Sequence, residues 1–335
     1  MKPKSSRRAI FVATECFLRA RVMRGWLAQG HEVAELWIGN SAAKPFLRRG
    51  RPWTLAFPDW STACIVRRNG INVLRNDRLS SWTGAIERAE ELGADTLITA
   101  MTYQIVPARL LGFFGRNAFN FHPALQPFYK GPHPRLGMLL HGKQDEYGGM
   151  TLHILSEGID EGDIVARRRL LFSLAGSYVR WEALLAEVAA DMVGNELAAF
   201  FVGRLNAAPQ DPEAGSYIRI GKDEIMVSRD STVDQVRRLC DVLGPQRSLQ
   251  IRPDELPPQQ GVLQVYRFVG VVGPPSGEPP RIARGFVEID LSDGRVRLSR
   301  RRRVNKLGYR LARIAAMMAA PSAYRRMRQD LFLEA

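Results

Sequence analysis

The sequence predicts an α/β protein with a doubly wound, mostly parallel sheet, followed by a smaller, β-rich, barrel-like C-terminal domain. Three observations favour this fold class. The chain opens with a strand, helix, strand succession, apolar segments then continue that alternation, and short strand-like segments joined by Gly and Pro turns come last. A length of 335 residues is sufficient for two domains.

The N-terminal part alternates strands with helices, as a parallel sheet requires. Residues 9–13 predict a short apolar strand, residues 17–27 carry apolar side chains at helical spacing, and Gly30 stands where a helix commonly ends. Residues 31–38 predict a second strand. Further strands are predicted at 71–74, 96–100, 118–121 and 149–155, and further helices at 64–69, 83–92 and 178–205.

The C-terminal part begins after a segment rich in Pro, Gly and Asp at residues 207–216. Ser231 and Asp234 have the spacing of a capping box and predict a short helix that runs to Leu243. Strands are predicted at 262–272, 286–289 and 296–298, and a final basic helix is expected to be broken or kinked at Pro321. The predicted organisation is a main domain over 1–206, a linker over 207–216, a β-rich domain over 217–299 and a basic helical tail over 300–335.

Composition excludes several classes of protein. Hydrophobic residues make up 45% and charged residues 24% of the chain, as in ordinary globular proteins. The three cysteines lack disulfide or zinc spacing, which favours a reducing cytoplasm. No apolar run approaches the roughly 18 residues of a membrane span, and the N-terminal one is too short for a signal peptide. The formal net charge of +14 is concentrated in residues 295–335, where twelve Lys and Arg against two acidic residues give +10.

Polar groups suited to acyl transfer lie near the end of the strand at 118–121. Asn120 and His122 are two residues apart, so both side chains face the same side of a strand. The Pro-rich loop at 122–134 excludes a helix or central strand there. Downstream, Asp160 lies in a turn between glycines. An amide and an imidazole can stabilise a developing oxyanion, and a carboxylate can relay a proton from an amine.

Two runs of sequence resemble a known family. NFHPALQPFYKGPHP, starting at Asn120, and GGMTLHILSEGIDEGDIV, containing Asp160, are similar to the signature of the formyltransferases that act on methionyl-tRNA, glycinamide ribonucleotide and sugar amines. The resemblance implies that Asn120, His122 and Asp160 are catalytic and that 10-formyltetrahydrofolate is the formyl donor. Ala124, Gln126 and Lys130 depart from the family pattern, and the usual Trp is missing from 135–138. These departures remove no catalytic group, but they leave the identity of the acceptor amine open.

The same resemblance assigns further binding residues. For the folate we expect Met101, Tyr103, Ile105, Gly158, Ile159 and Gly162, and for the acceptor Tyr129, Lys130, Gly131 and His133. Four of the five histidines lie between residues 122 and 153, but their spacing matches no zinc site, so no metal is expected.

The acceptor remains open at this point. The leading hypothesis is the primary amine of a small biosynthetic metabolite such as an amino sugar nucleotide, and the alternative is methionyl-tRNA. A formyltetrahydrofolate hydrolase and a non-catalytic nucleic-acid-binding relative are further alternatives. Residues 46–53, FLRRGRPW, suit base stacking and phosphate contact or a solvated loop. The arginines at 300–303 suit tRNA, an anionic membrane surface or solubility alone.

Overall fold

The computed structural model describes residues 6–13, 16–39, 56–76, 78–211, 213–243, 249–257 and 262–331. The basic segment at 46–53 lies outside these ranges. Within them, no helix has the length and apolar character needed to cross a membrane.

Seven strands form the main sheet, and helices cover both of its faces. The strands are β1 (Arg8–Ala13), β2 (Glu32–Ile38), β3 (Val73–Arg75), β4 (Thr96–Ala100), β5 (Ala118–His122), β6 (Gly149–Ile154) and β7 (Ile164–Arg169). The helices are α1 (Phe17–Ala28), α2 (Thr62–Arg68), α3 (Ala85–Glu91), α4 (Ala108–Phe114), α5 (Pro134–Leu140), α6 (Phe172–Ala175), α7 (Tyr178–Met192) and α8 (Ala198–Phe201). Short 3-10 turns occupy Pro58–Trp60, Leu79–Ser81 and Gly115–Asn117.

The strand order is β3-β2-β1-β4-β5-β6-β7. Strands β1 to β5 pair in parallel, whereas β6 and β7 pair antiparallel. Alternate β1 residues are buried on opposite faces: Phe11 packs with α1 and α7, and Ile10 packs with α3 and α4. This burial on both faces confirms the doubly wound, mostly parallel sheet that the sequence predicts.

The C-terminal part is rich in strands, also as predicted. Strands β8 (Met226–Val227), β9 (Leu249–Ile251) and β10 (Gln264–Val265) form one small sheet, and β11 (Arg267–Gly273), β12 (Arg281–Ile282), β13 (Phe286–Leu291) and β14 (Gly294–Ser299) form an antiparallel one. Helix α9 (Val233–Val242) packs against them, and 3-10 turns lie at Asp223–Ile225 and Pro253–Glu255. The predicted division of the chain at 206 and 216 stays a prediction.

A long final helix, α10 (Arg302–Leu331), returns to the N-terminal part. Met317, Ala320 and Tyr324 are buried in the same core as α1 and α7. Helix α10 is therefore packed on the main sheet's helical layer and is not a free tail. The helix is not broken at Pro321, because residues on both sides of the proline are helical and packed on this core, whereas the predicted kink stays a prediction.

Three other details of the prediction need correction. Helices α4, α5 and α6 and strands β7, β8, β9 and β12 were not predicted, since they are short or lie in segments rich in Pro, Gly or Arg. The stretch predicted as one helix at 178–205 is interrupted by a π-helical turn at Val193–Leu197, where Asn195 Nδ2 donates to the Asp191 carbonyl. The capping box of α9 is formed by Thr232 and Gln235, one residue beyond the predicted pair, and the Ser231 hydroxyl instead bonds the Ser228 backbone N–H.

Candidate active site

The carboxylate of Asp160 joins the side chains of Asn120 and His122. Its Oδ1 accepts from Asn120 Nδ2 at 3.1 Å, its Oδ2 accepts from the Gly131 backbone N–H at 2.8 Å, and His122 Nδ1 lies 3.3 Å from Oδ2. Asn120 and His122 lie at the carboxyl end of β5, so their side chains share one face of the strand. The structure thus brings the three predicted catalytic residues together.

The turn that carries Asp160 has a constrained backbone. Asp160 adopts φ +57°, the left-handed region that non-glycine residues rarely occupy. Gly162 lies so close to β6 that an added Cβ would be 1.9 Å from the Ile154 carbonyl oxygen. From the segment at 207–216, Gln210 Nε2 donates to the carbonyls of Asp160 and Gly162, at 3.0 and 2.7 Å. The predicted linker segment therefore braces the turn.

The amide of Asn120 has a defined orientation. The Thr99 hydroxyl donates to its Oδ1 at 2.8 Å, so the amide NH₂ faces His153 Nε2 at 3.0 Å and Asp160. His153 Nδ1 faces the Ile154 carbonyl at 2.9 Å; because a carbonyl only accepts, Nδ1 carries the proton and Nε2 accepts from Asn120. Sequence reasoning missed Thr99 and His153, because only the pairing of β4 and β6 beside β5 places them next to Asn120.

One ring nitrogen of His122 donates a hydrogen bond, and the other, Nδ1, is left as an acceptor. Its Nε2 lies 2.8 Å from the Tyr129 carbonyl, which accepts a hydrogen bond from it, so Nε2 carries the proton. Burial lowers the pKa of His122 below its ordinary value, although the Asp160 carboxylate acts in the opposite direction. Burial of Asp160 raises its pKa, but His122, His153 and the Gly131 N–H outweigh this effect, so the pKa of Asp160 lies below its usual range. Near neutral pH the imidazole is therefore uncharged, and Nδ1 can take up a proton beside an ionised carboxylate.

These groups line a cleft of about 480 Å³. Of the residues predicted to bind folate or acceptor, those that line it are Met101, Tyr103, Ile105, Gly131, His133, Gly158 and Ile159. Tyr103 is 61% exposed and Ile105 55% exposed, an unusual degree of exposure for apolar side chains. The volume lies in the range of small-molecule sites, and exposed apolar side chains at its mouth suit a flat aromatic ligand.

The remaining three predicted binding residues lie elsewhere. Tyr129 is buried, and its hydroxyl hydrogen-bonds His141 Nδ1 at 3.2 Å. Lys130 is also buried, with Nζ 3.8 Å from Glu161 Oε1. Gly162 packs on the end of β6. Tyr129 still contributes its backbone carbonyl to His122, so it acts on the site through its main chain.

Residues that follow the predicted linker also reach the cleft. Lys130 N–H donates to the Ser216 carbonyl at 2.8 Å, and Ile218 N–H donates to the Lys130 carbonyl at 2.7 Å. This short pairing places Tyr217 and Arg219 in the lining. An exposed cation and an aromatic ring at the entrance suit an anionic ligand that carries a ring. Within the described ranges, no group of three or more His, Cys, Asp or Glu side chains is arranged to hold a metal ion.

Comparison with known proteins agrees with this geometry. The formyl transferase family model matches residues 72–178, which contain Asn120, His122 and Asp160. The methionyl-tRNA formyltransferase of Heliobacterium modesticaldum is 32% identical over 132 residues, 39% of this chain and only 41% of that relative. That of Afipia carboxidovorans is 28% identical over 295 residues, 87% of this chain and 90% of the relative. The chain thus spans less than half the length of the first relative and most of the second.

Solved structures share the fold. HypX from Aquifex aeolicus in complex with tetrahydrofolic acid has a TM-score of 0.59 at 17% identity, covering 89% of this chain and 45% of its own. An N-formyltransferase from Helicobacter canadensis in complex with folinic acid and dTDP-3-aminofucose has a TM-score of 0.59 at 12% identity, covering 88% and 98%. Residues 72–178 thus match the formyl transferase model, and the chain is similar to methionyl-tRNA formyltransferases in sequence and to solved formyltransferases in fold, as its sequence predicts.

Replacing Thr99 tests the orientation of the Asn120 amide. Thr99→Val keeps the buried shape but removes the hydroxyl that donates to Asn120 Oδ1. We expect kcat to fall about tenfold, since one hydrogen bond to a polar group is lost, with little change in KM or thermal unfolding temperature. Thr99→Ser should restore kcat. A Val variant with unchanged kcat would show that the hydroxyl does not position the amide.

The pH dependence of kcat tests the uncharged state of His122. Because burial lowers the pKa of His122 from 6.5, kcat should be constant above that value and decline as the pH falls through the lowered pKa. The Asp160 carboxylate raises the pKa of His122, so in Asp160→Asn the decline should move to lower pH. The measurement is kcat against pH at saturating substrates. A decline that moves to higher pH in Asp160→Asn would contradict this assignment.

Proposed function

We propose that this chain transfers the formyl group of 10-formyltetrahydrofolate to a primary amine. The observation that carries the proposal is the meeting of Asn120, His122 and Asp160 in one cleft, within the segment that matches the formyl transferase model. Tetrahydrofolic acid and folinic acid in complexes of the similar structures support a folate as donor. The donor supplies an electrophilic formyl carbon.

The residues of the cleft have complementary roles in this proposal. Tyr103, Ile105 and Ile159 offer apolar contact for the flat ring of the folate at the mouth of the cleft. The Asn120 NH₂ group donates toward the formyl oxygen, where negative charge develops. Both of its N–H groups are engaged here, with His153 and Asp160, so binding of that oxygen replaces one of these hydrogen bonds.

The His122 and Asp160 pair receives the proton of the attacking amine. The unprotonated Nδ1 of His122 accepts it, and the carboxylate 3.3 Å away stabilises the imidazolium that results. The Tyr129 carbonyl and the Gly131 N–H hold the two groups in place. The amine nitrogen forms a bond to the formyl carbon, the bond from that carbon to N10 of the folate breaks, and N10 leaves with the proton that His122 has taken up. The amine is its own nucleophile, so no nucleophilic side chain of the protein is needed.

For the acceptor, we propose the amine of a small metabolite such as an amino sugar nucleotide. Arg219 and Tyr217 at the entrance suit the phosphate and ring of a nucleotide, and a structural neighbour is a complex with dTDP-3-aminofucose. Methionyl-tRNA is the second candidate, favoured by the relative that aligns over 90% of its length. The 3′ end of a tRNA carries the same phosphate and ring chemistry, so the entrance alone does not separate the two.

Substitution of the site tests the proposed chemistry. Asn120→Ala and Asp160→Asn should each reduce turnover by about two orders of magnitude, the usual cost of removing one group that stabilises a transition state. Asp163→Asn is the matched control: its carboxylate lies in the same turn but faces Arg116 at 3.5 Å, and turnover should be retained. The measurement is consumption of 10-formyltetrahydrofolate with a panel of amines. Equal rates in all three variants would refute the site.

Dependence on salt separates the two acceptors. A small nucleotide-linked amine offers only one or two phosphate charges to Arg219, so its acceptor KM should rise only slightly as salt is raised. Charged tRNA requires many phosphate contacts, and their affinity falls steeply with salt. The measurement is KM for each acceptor at low and moderate salt, with a sample lacking any acceptor to detect hydrolysis of the donor. Turnover with charged tRNA alone would assign the second candidate, and equal turnover without an acceptor would indicate a hydrolase.

A further inference from the structure

Helix α10 has one buried face and one exposed face, and both are apolar. Its inner face, with Met317, Ala320 and Tyr324, is buried against the main core. Its outer face is apolar as well: Val304 is 64% exposed, Leu307 59%, Leu311 58% and Met318 64%. Since the inner face already meets the packing needs of the helix, the outer apolar residues serve no internal core.

The exposed apolar residues form one continuous stripe. Val304, Leu307, Leu311 and Met318 follow each other at spacings that place them on a single side of a helix, and the exposed Ala315 fills the gap. From Val304 to Met318 the stripe is about 21 Å long at the rise of an α-helix. A contiguous exposed apolar surface of this kind marks an interaction site.

The charge around the stripe has one sign. Between residues 300 and 328 the chain carries ten Lys and Arg and no Asp or Glu. Arg303 and Arg310 are both exposed. Each lies one position before a stripe residue, which places it about 100° around the helix from that residue and on the same edge of the stripe. Arg325 and Arg326 are exposed beyond its far end. An apolar stripe edged by cations is complementary to an anionic surface that also has an apolar interior.

We infer that the outer face of α10 docks on a bilayer surface that contains anionic lipid. The stripe enters the boundary between headgroups and acyl chains, and the flanking arginines contact the headgroup phosphates. A second copy of the chain is disfavoured because two such basic helices would repel one another. Nucleic acid would engage the arginines but leave the aliphatic side chains exposed to water. The inference is independent of the proposed function.

Vesicle binding by the full chain tests the stripe. The chain should sediment with vesicles of phosphatidylcholine and phosphatidylglycerol and much less with phosphatidylcholine alone. The variant Leu307→Ser with Leu311→Ser should bind the anionic vesicles at least about tenfold more weakly, since two aliphatic side chains that would enter the bilayer are lost. The control is Leu174→Ser, another exposed leucine at 52%, on α6, which should bind normally. Thermal unfolding checks that each variant is folded.

A second pair of variants tests the charges. Arg303→Gln with Arg310→Gln should weaken binding to anionic vesicles by about 20-fold, whereas Arg78→Gln with Arg204→Gln, exposed arginines elsewhere and an equal change in net charge, should have little effect. Failure of the unmodified chain to bind anionic vesicles would overturn the inference. So would equal binding by the leucine variant. If RNA but not vesicles binds, and only the arginine variant weakens it, the face binds nucleic acid instead.

Discussion

The Asp160 carboxylate ties its own turn to strand β5 and to the Pro-rich loop that follows that strand. It accepts from the amide of Asn120 on β5 and from the backbone of Gly131 in the Pro-rich loop, and it faces His122. It comes from a turn that is itself held by Gln210. Because this carboxylate is largely buried, its ionised form requires these donors, and the cleft cannot keep its shape without them.

Burial also sets the chemistry of the neighbouring imidazole. A solvent-exposed histidine beside a carboxylate would have a raised pKa, but desolvation of His122 outweighs that attraction and lowers its pKa. The Tyr129 carbonyl then decides which nitrogen keeps the proton. An uncharged imidazole with Nδ1 free to accept is what proton removal from an amine requires. The irregular loop at 122–134 therefore shapes the cleft through its backbone as much as through its side chains.

Local sequence patterns predicted the strands and the central loop, but not the pairing between distant segments. Asn120 and His122 were predictable because alternation along one strand is a local property. Thr99 and His153 were not, since they reach Asn120 only through the order of β4, β5 and β6 in the sheet. Strand β7 escaped prediction because Arg167, Arg168 and Arg169 hide its apolar alternation. In the structure Arg168 is buried and paired with Asp191 and Glu196.

The inner face of α10 is connected to the cleft through a chain of partly buried polar contacts. On its inner face, Arg313 Nη1 lies 3.7 Å from Glu182, which accepts from Arg135 at 3.0 Å. Arg135 in turn contacts the sulfur of Met101, a residue that lines the cleft. These two partly buried arginines share one carboxylate, so release of α10 from the core would take one of the two cations away from Glu182. The outer stripe therefore lies on a helix that is packed against α1 and α7. Docking through this stripe would hold the cleft at a constant orientation to the membrane surface.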